Sequence, residues 1–294
     1  MEILPMYKDI TELYCFIDDF CQAVDHYVAH QGIAAQNQRA PTRTPDMRIS
    51  EIVTIMILFQ QSPCKNFKYF YQSYLQHYKE DLCLVSYNRF VELQKRCLIY
   101  CVCLQFWFCQ QNSKGRLHFI DATKIQVCHN KRITQHKVFK GLAAMSKTTM
   151  GWFYGFKLHL VINEKGEIQG VALTSGNVDD RAPVDNMTKR LQGLLFGDKG
   201  YIQKNLFQKL YQRGLKFITN FKNNMKNKLM ILEEKILLKK RSLIESVFDI
   251  FKNKFQIQHT RHRSVVNFLV HLFSTLVAYS LRGKKPRIRF EGVM

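Results

Sequence analysis

The stretch LHFIDATKIQV, residues 117–127, decides how the second half of the chain folds, because it predicts a strand with apolar flanks around one acid, Asp121. The stretch WFYGFKLHLVI, residues 152–162, predicts a second strand in which apolar residues alternate from Phe156 onward. The turn sequence NEKGE follows, and IQGVALTSG, residues 168–176, predicts the strand that returns. These three segments predict the antiparallel part of a sheet.

Two more strands alternate with helices farther along the chain. LLFGDKGY, residues 194–201, predicts a fourth strand that ends in a loop, and LKFITN, residues 215–220, predicts a fifth. The helix between them is closed by Gly214. A long helix is predicted near 230–254 and an apolar helix over 264–282. The fold class predicted from this order is α/β, with a mixed five-stranded sheet and helices packed on its faces.

The first 112 residues read as a separate helical region. The segments with apolar residues at helical spacing are ISEIVTIMILFQQ (49–61), NFKYFYQSYLQHY (66–78) and SYNRFVELQKRCLIYCVCLQFWFC (86–109). Residues 33–47 contain two prolines and predict a loop. We therefore expect a small all-α N-terminal domain over 1–112, for DNA-end binding or oligomerisation, and an α/β domain over 113–294.

The basic charge is confined to the second region. The chain has 44 Lys and Arg, 23 Asp and Glu and a formal net charge of +21. Residues 1–112 hold 10 basic and 11 acidic residues, whereas residues 113–294 hold 34 basic and 12 acidic ones. A field of this size favours a polyanion, and nucleic acid is the leading partner. A solvated basic face and an anionic membrane surface are the alternatives. No apolar run is long enough to predict a membrane span.

Three of the twelve acids in the second region sit in apolar surroundings. Asp121 interrupts HFIDATKI, Asp198 ends LLFGD, and Glu245 lies in SLIESVF. An isolated carboxylate against a sheet core costs several kcal/mol unless it is compensated. Mg²⁺ prefers such oxygens, and two ions about 4 Å apart can promote cleavage and joining of phosphodiesters. The pattern favours a shared metal site, whereas private ion pairs with Lys or Arg are the alternative.

The predicted long helix adds a geometric argument. At 100° per residue, Arg241, Glu245 and Lys252 fall on one stripe. This arrangement presents a metal-binding carboxylate with cations on either side for DNA phosphates. A plain surface salt bridge between Arg241 and Glu245 is the alternative.

The same segments carry a family resemblance. They are FIDATKIQVCHNKRI, MGWFYGFKLHLVINEKGE, LTSGNVDDRAPV, LFGDKGY and KKRSLIESVFDIFKNKF. Together they resemble bacterial insertion-sequence transposases of the DDE type, which have a ribonuclease-H-like catalytic domain. The resemblance implies that Asp121, Asp198 and Glu245 are the catalytic, metal-binding acids. The family's Tyr-Arg-Glu-Lys signature is met at Arg241, Glu245 and Lys252, but its tyrosine position is Leu238 here.

The resemblance also implies an activity and partners. The enzyme would cleave phosphodiester bonds at the terminal inverted repeats of its element and join the 3′-hydroxyls to target DNA. It would use Mg²⁺, with two ions expected and Mn²⁺ as a substitute, and act as a homodimer or higher oligomer on double-stranded DNA. The DNA-contacting residues expected are Lys124, Lys157, Lys199, Tyr201, Arg241 and Lys252, with Tyr201 stacking on a base.

Two other functions stay open at this stage. A ribonuclease-H-like nuclease would cut without strand transfer, and an inactive relic would only bind DNA. The nine cysteines lack the two-residue spacing of zinc or redox motifs, so a reduced, cytoplasmic setting is expected, nucleoid-associated when DNA is bound.

Overall fold

The chain divides into two compact units that are not contiguous in sequence. A computed structural model describes residues 9–31, 47–78, 82–148, 151–220, 231–258 and 262–289. The first unit comprises Met1–Phe106 and His262–Lys284, and the second comprises Trp107–Arg261 and Lys285–Met294. Apart from Met47, the predicted loop over 33–47 lies outside the described residues.

The described elements run as follows in chain order. The helices are α1 (Ile10–His30), α2 (Ile49–Gln61), α3 (Phe67–Tyr69), α4 (Tyr87–Leu93), α5 (Leu98–Gln111), α6 (Val184–Met187), α7 (Lys204–Gln212), α8 (Leu232–Lys239), α9 (Ser242–Asp249) and α10 (Val265–Ser280). The strands are β1 (Leu117–Cys128), β2 (Ala144–Thr148), β3 (Gly151–Asn163), β4 (Ile168–Ser175), β5 (Gly193–Gly197) and β6 (Leu215–Thr219).

The first unit is built around two apolar helices, α2 and α10. Both are buried along almost their whole length, and they pack against each other. Gln60 of α2 and His271 of α10 form a buried hydrogen bond of 2.9 Å between Nε2 and Nδ1. The predicted division at residue 112 places residues 264–282 with the sheet. The structure differs there, because an apolar helix packs where a complementary face exists, and α2 supplies it.

Two predicted helices of this unit are irregular. The segment 66–78 forms α3, then a π-helical turn at Phe70–Tyr74 and a 3₁₀ turn at Leu75–Tyr78. The segment 86–109 is split into α4 and α5 by a 3₁₀ turn at Gln94–Cys97. The Tyr71 hydroxyl donates to the carbonyl of Val85 at 2.7 Å, so side-chain packing rather than helix propensity sets these backbones. No described helix is both long and apolar enough to cross a membrane.

The second unit contains one mixed sheet with the order β2-β3-β1-β5-β6, and β4 also pairs with β3. β1 pairs antiparallel with β3 and parallel with β5, and β5 pairs parallel with β6. The predicted mixed α/β architecture is confirmed, but the prediction of five strands is wrong because β2 makes six. The sequence AMSKT has little apolar content, and β2 exists through its pairing with Gly151–Gly155 of β3.

Helices cover the sheet and follow it along the chain. α6 and α7 pack on the sheet in a core that includes Ile120 of β1, Leu195 of β5 and Leu210 of α7. The long helix predicted near 230–254 is two helices, α8 and α9, followed by a π-helical turn at Ile250–Lys254. The break falls at Lys240 and Arg241, so Arg241 is the N-cap residue of α9 instead of lying inside a continuous helix.

The buried histidines of the first unit make its stability depend on pH. Burial, and to a smaller extent the neighbouring His262, lower the pKa of His271 to about 3. Burial also lowers the pKa of His262 to about 4. Because the unfolded chain binds protons near pH 6.5 and the folded one does not, stability is full above that pH and falls as the pH drops toward 4.

We therefore expect the melting temperature to fall between pH 7 and pH 5. The free energy of unfolding should fall with a limiting slope of about 1.4 kcal/mol per pH unit for each histidine. His271→Gln should reduce this dependence, whereas His77→Gln, at an exposed position, should leave it unchanged. Thermal melts across this pH range measure the effect. Equal pH dependence in the wild type and the His271 variant would contradict it.

Candidate active site

Strand register brings two aspartates together from distant parts of the sequence. β1 and β5 are parallel neighbours, and their last register pair is Phe119 with Phe196. Asp121 and Asp198 each lie two residues beyond that pair, where β5 ends and β1 continues. Neighbouring strands are about 4.8 Å apart, so both carboxylates belong to one end of the β1–β5 pair.

Gly197 makes this arrangement possible. A Cβ at this position would lie 2.8 Å from Cε2 of Phe217 and 3.0 Å from Cγ2 of Ile120. A side chain would therefore push β5 away from β1 and β6 immediately before Asp198. The glycine of the sequence LFGD is required for close packing.

Asp121 is held in a partly buried, electrostatically crowded position. Its side chain is 24% exposed. The Ala122 N–H donates to its Oδ1 at 2.8 Å. Burial raises the pKa of Asp121 to about 6, although the Ala122 N–H and the Arg241 cation lower it, and the charges of Asp198 and Glu245 raise it further. The other two acids singled out from the sequence, Asp198 and Glu245, therefore both act on Asp121.

Arg241 bridges the strand and the helix. Its Nη1 lies 3.1 Å from Oδ2 of Asp121, and its Nη2 lies 3.0 Å from Oε1 of Glu245. The Arg241 side chain is 22% exposed and that of Glu245 is 58% exposed. The i,i+4 contact of Arg241 with Glu245 is the salt bridge named as the alternative in the sequence analysis, and Arg241 also pairs with Asp121 on the sheet.

The donor set can be tested against a divalent cation. Carboxylate oxygens are the ligands that Mg²⁺ prefers, and a cation would relieve the mutual repulsion of the three acids. Among the described residues, however, no group of three or more His, Cys, Asp or Glu side chains is spaced to hold a metal ion. The chemistry of the acids fits a metal, and the cation that balances two of them in this structure is Arg241.

Tyr201 differs from the expectation that it stacks on a DNA base. Its ring is 3% exposed and packs on Phe217, with 5.9 Å between ring centroids. Its hydroxyl has no hydrogen-bond partner in the described parts of the chain. Burial raises the pKa of this hydroxyl, as do the charges of Asp121, Asp180 and Asp198. A ring buried in this core cannot stack on a base. The Tyr201 hydroxyl instead lies within electrostatic reach of the acids.

The four predicted lysines fall into two groups. Lys157 is committed internally, because its Nζ lies 2.9 Å from Oδ1 of Asp180 and donates to the carbonyl of Val178 at 2.9 Å. This pairing leaves it a poor phosphate ligand, contrary to expectation. Lys199 is exposed directly after Asp198. Lys124 and Lys252 interact electrostatically: burial lowers the pKa of Lys252, and the charge of Lys124 lowers it too.

Asp180 lies near the predicted site residues and was not among the acids singled out from the sequence. It pairs with Lys157 and acts on both Tyr201 and His159. His159 is fully buried, and its Nε2 lies 2.8 Å from Oγ1 of Thr174. The available signal was the paired acids of GNVDDR, of which only Asp179 behaves as a local turn residue by accepting from the Arg181 N–H.

Comparison with known proteins identifies a family for this region. The family model described as "Transposase DDE domain" matches residues 111–265. No curated protein matches the chain. Among solved structures, a piggyBac transposase synaptic complex with hairpin DNA aligns with a TM-score of 0.44 and 10% identity, covering 96% of this chain and 76% of that one. The Mos1 strand transfer complex aligns with a TM-score of 0.23 and 8% identity, covering 90% and 87%. Neither similarity is close enough to define this chain's fold.

The Arg241 bridge predicts how the pKa of Asp121 responds to substitution. Arg241→Gln should raise that pKa above about 6, because a stabilising cation is lost. Glu245→Gln should lower it, because a repelling charge is lost and Arg241 is left to Asp121. Carboxyl ¹³C chemical shifts of labelled aspartate, followed against pH, measure both effects. Arg181→Gln is the control, since Arg181 pairs with Asp179; shifts of the same sign in both test variants would refute the bridge.

Gly197 offers a prediction about stability. Gly197→Ala should lower the melting temperature by several degrees and displace Asp198, because its Cβ would overlap the ring of Phe217. Gly200→Ala is the matched control, since its nearest neighbour would be Oδ2 of Asp198 at an ordinary 4.0 Å. Thermal denaturation compares the two, and equal melting temperatures would show that the β1–β5 packing tolerates a side chain.

Proposed function

Because this chain belongs to the transposase DDE domain family, we propose that it is the DNA transposase of an insertion sequence. In this proposal it cleaves phosphodiester bonds at the ends of its element and transfers the 3′-hydroxyls into target DNA. The observation that supports the proposal is geometric: the β1–β5 register brings Asp198 beside Asp121, and Arg241 joins Asp121 to Glu245, so acids from three separate segments of the family-matched region meet. The mixed sheet centred on β1 supports a ribonuclease-H-like fold.

In the proposed site, Asp121, Asp198 and Glu245 would hold Mg²⁺, with Mn²⁺ as a substitute. Two bound ions would activate the attacking oxygen and stabilise the leaving one. Gly197 and the β1–β5 register fix the two aspartates, while α9 carries Glu245 toward them. Arg241 keeps Asp121 and Glu245 charge-balanced in the absence of metal. The buried hydroxyl of Tyr201 lies within electrostatic reach of Asp121, Asp198 and Asp180.

The proposed substrate is double-stranded DNA, both element ends and target. Its support is the basic excess of residues 113–294, which hold 34 Lys and Arg against 12 Asp and Glu. Lys124, Lys199, Arg241 and Lys252 are the proposed phosphate contacts around the acids. Because two ends must be brought together for joining, we propose a homodimer or larger assembly, with the first unit contributing to end binding or to oligomerisation.

The decisive experiment resolves cutting from joining. The wild-type protein is incubated with Mg²⁺, duplexes taken from the sequences that flank its gene, and a supercoiled target plasmid. We expect nicked duplex and, in addition, end-to-target joints. Nicks without joints would point to a nuclease, and binding without nicks would point to a relic; either result would overturn the transposase proposal.

Single substitutions test the three acids. Asp121→Asn, Asp198→Asn and Glu245→Gln should each reduce nicking by on the order of 10³-fold or more, while DNA affinity stays close to that of the wild type. Asp179→Asn is the control, because Asp179 pairs with Arg181 away from the acids. Gel assays of nicking, paired with binding isotherms, measure both quantities. Retained nicking in any of the three variants would remove that residue from the site.

A further inference from the structure

A second basic surface lies at the far end of the sheet. Between Ala122 and Asn163 the chain contains seven Lys and Arg and no Asp or Glu. Five of these cations are exposed on β2 and on the connection between β1 and β2. Together with three exposed apolar side chains nearby, they form what we call the β2 surface. Its members are Lys131, Arg132, Lys137, Lys140, Leu142, Met145, Lys147 and Trp152.

The β2 surface is held by a buried anchor. Phe139 is 2% exposed and packs edge-on against Phe156, with 5.5 Å between ring centroids. The Tyr154 hydroxyl donates to the carbonyl of Phe139 at 3.3 Å, and Nδ2 of Asn130 donates to the carbonyl of Trp152 at 2.9 Å. The connection between β1 and β2 is therefore tied to the start of β3, and its cations stand on a fixed support.

The cations of this surface are not neutralised by acids of the described residues. Within the described residues, none of its five Lys and Arg side chains forms an ion pair with a carboxylate. By contrast, Lys157 on the same strand as Trp152 is paired with Asp180. Unpaired like charges repel one another, and a polyanion is the ligand that neutralises them.

Exposed apolar groups lie among these charges. Trp152 is 57% exposed, Leu142 is 50% and Met145 is 39%. Lys147 lies opposite Trp152 in the register, and its Nζ is 5.9 Å from the centroid of a Trp152 ring. A cation over an exposed indole combines a phosphate contact with a flat surface for a sugar or an unstacked base. A purely solvated basic face would not need these three apolar side chains.

The distance to the acids matches a single DNA duplex. Seven residues separate Asp121 from Cys128, at the end of β1. At ~3.4 Å per residue this is about 24 Å, or roughly seven base pairs of duplex. We propose that the β2 surface binds double-stranded DNA about seven base pairs from the phosphate held at the acids. The identity of the polyanion rests on the proposed function, whereas the existence of the second contact rests on charge and exposure.

The salt dependence of binding tests this proposal without any cleavage step. The probe is a mixed-sequence duplex of about 30 base pairs, long enough to span both contacts, in EDTA. The slope of log K against log salt is negative, and removing each phosphate contact reduces its magnitude by about 0.9. The triple variant Lys131→Gln, Arg132→Gln, Lys147→Gln should therefore reduce the magnitude of the slope by roughly 2–3. The control is Lys189→Gln, Arg190→Gln, Lys204→Gln, which removes equal charge at exposed positions outside the β2 surface and should change the slope by less than one contact's worth.

Tryptophan fluorescence gives an independent readout. The chain has two tryptophans, Trp107 and Trp152, so Trp107→Phe leaves Trp152 as the sole reporter. DNA should quench its emission, and Trp152→Ala should weaken binding severalfold, whereas Tyr211→Ala, at an exposed aromatic on α7, should not. If DNA binds normally with equal slopes and no quenching, the β2 surface proposal is wrong while the proposed function stands. If Trp152→Ala only converts a dimer to a monomer, the surface binds a second copy and the proposal is also wrong.

Discussion

The interaction on which the site depends is the double contact of Arg241 with Asp121 and Glu245. It joins a strand in the middle of the sheet to the first turn of α9, and it spans 120 residues of sequence. The partly buried carboxylate of Asp121 and the exposed one of Glu245 would repel each other, and the guanidinium offsets that repulsion with two hydrogen bonds. The break between α8 and α9 places Arg241, which makes this contact, at the N-cap of α9. A divalent cation bound by the acids would compete with Arg241 for the same carboxylate oxygens.

The sheet supplies the second constraint. β1, which carries Asp121, is paired with β3 on one side and with β5 on the other. A change in the register of β1 would therefore disrupt the hydrogen bonds to both neighbouring strands. Gly197 allows β5 to approach closely enough for Asp198 to lie beside that strand. The two aspartates thus owe their positions to backbone pairing, while Arg241 supplies charge balance to Asp121 and to Glu245 of α9.

Much of this could be predicted from the sequence, because the informative signals were local. Strands with an isolated acid, such as the segment around Asp121, stand out by composition, and the register then brings Asp198 alongside. What could not be predicted was set by distant contacts. β2 has a weak intrinsic preference and forms by pairing with β3. Tyr201 looks like an exposed loop aromatic beside Gly200, yet Phe217 and the acids enclose it. Lys157 reads as a free cation until Asp180 is known to lie within reach.

The discontinuity of the first unit has a consequence for biosynthesis. Its core needs α10, which follows every strand of the second unit along the chain, whereas α1 to α4 precede those strands. The apolar face of α2 must therefore wait until the whole sheet has been translated before its permanent partner arrives. During that interval the nascent protein exposes a sticky surface to chaperones and to other chains. The second unit, whose sheet is complete by Thr219, can finish folding first, so the order of synthesis and the order of maturation are reversed.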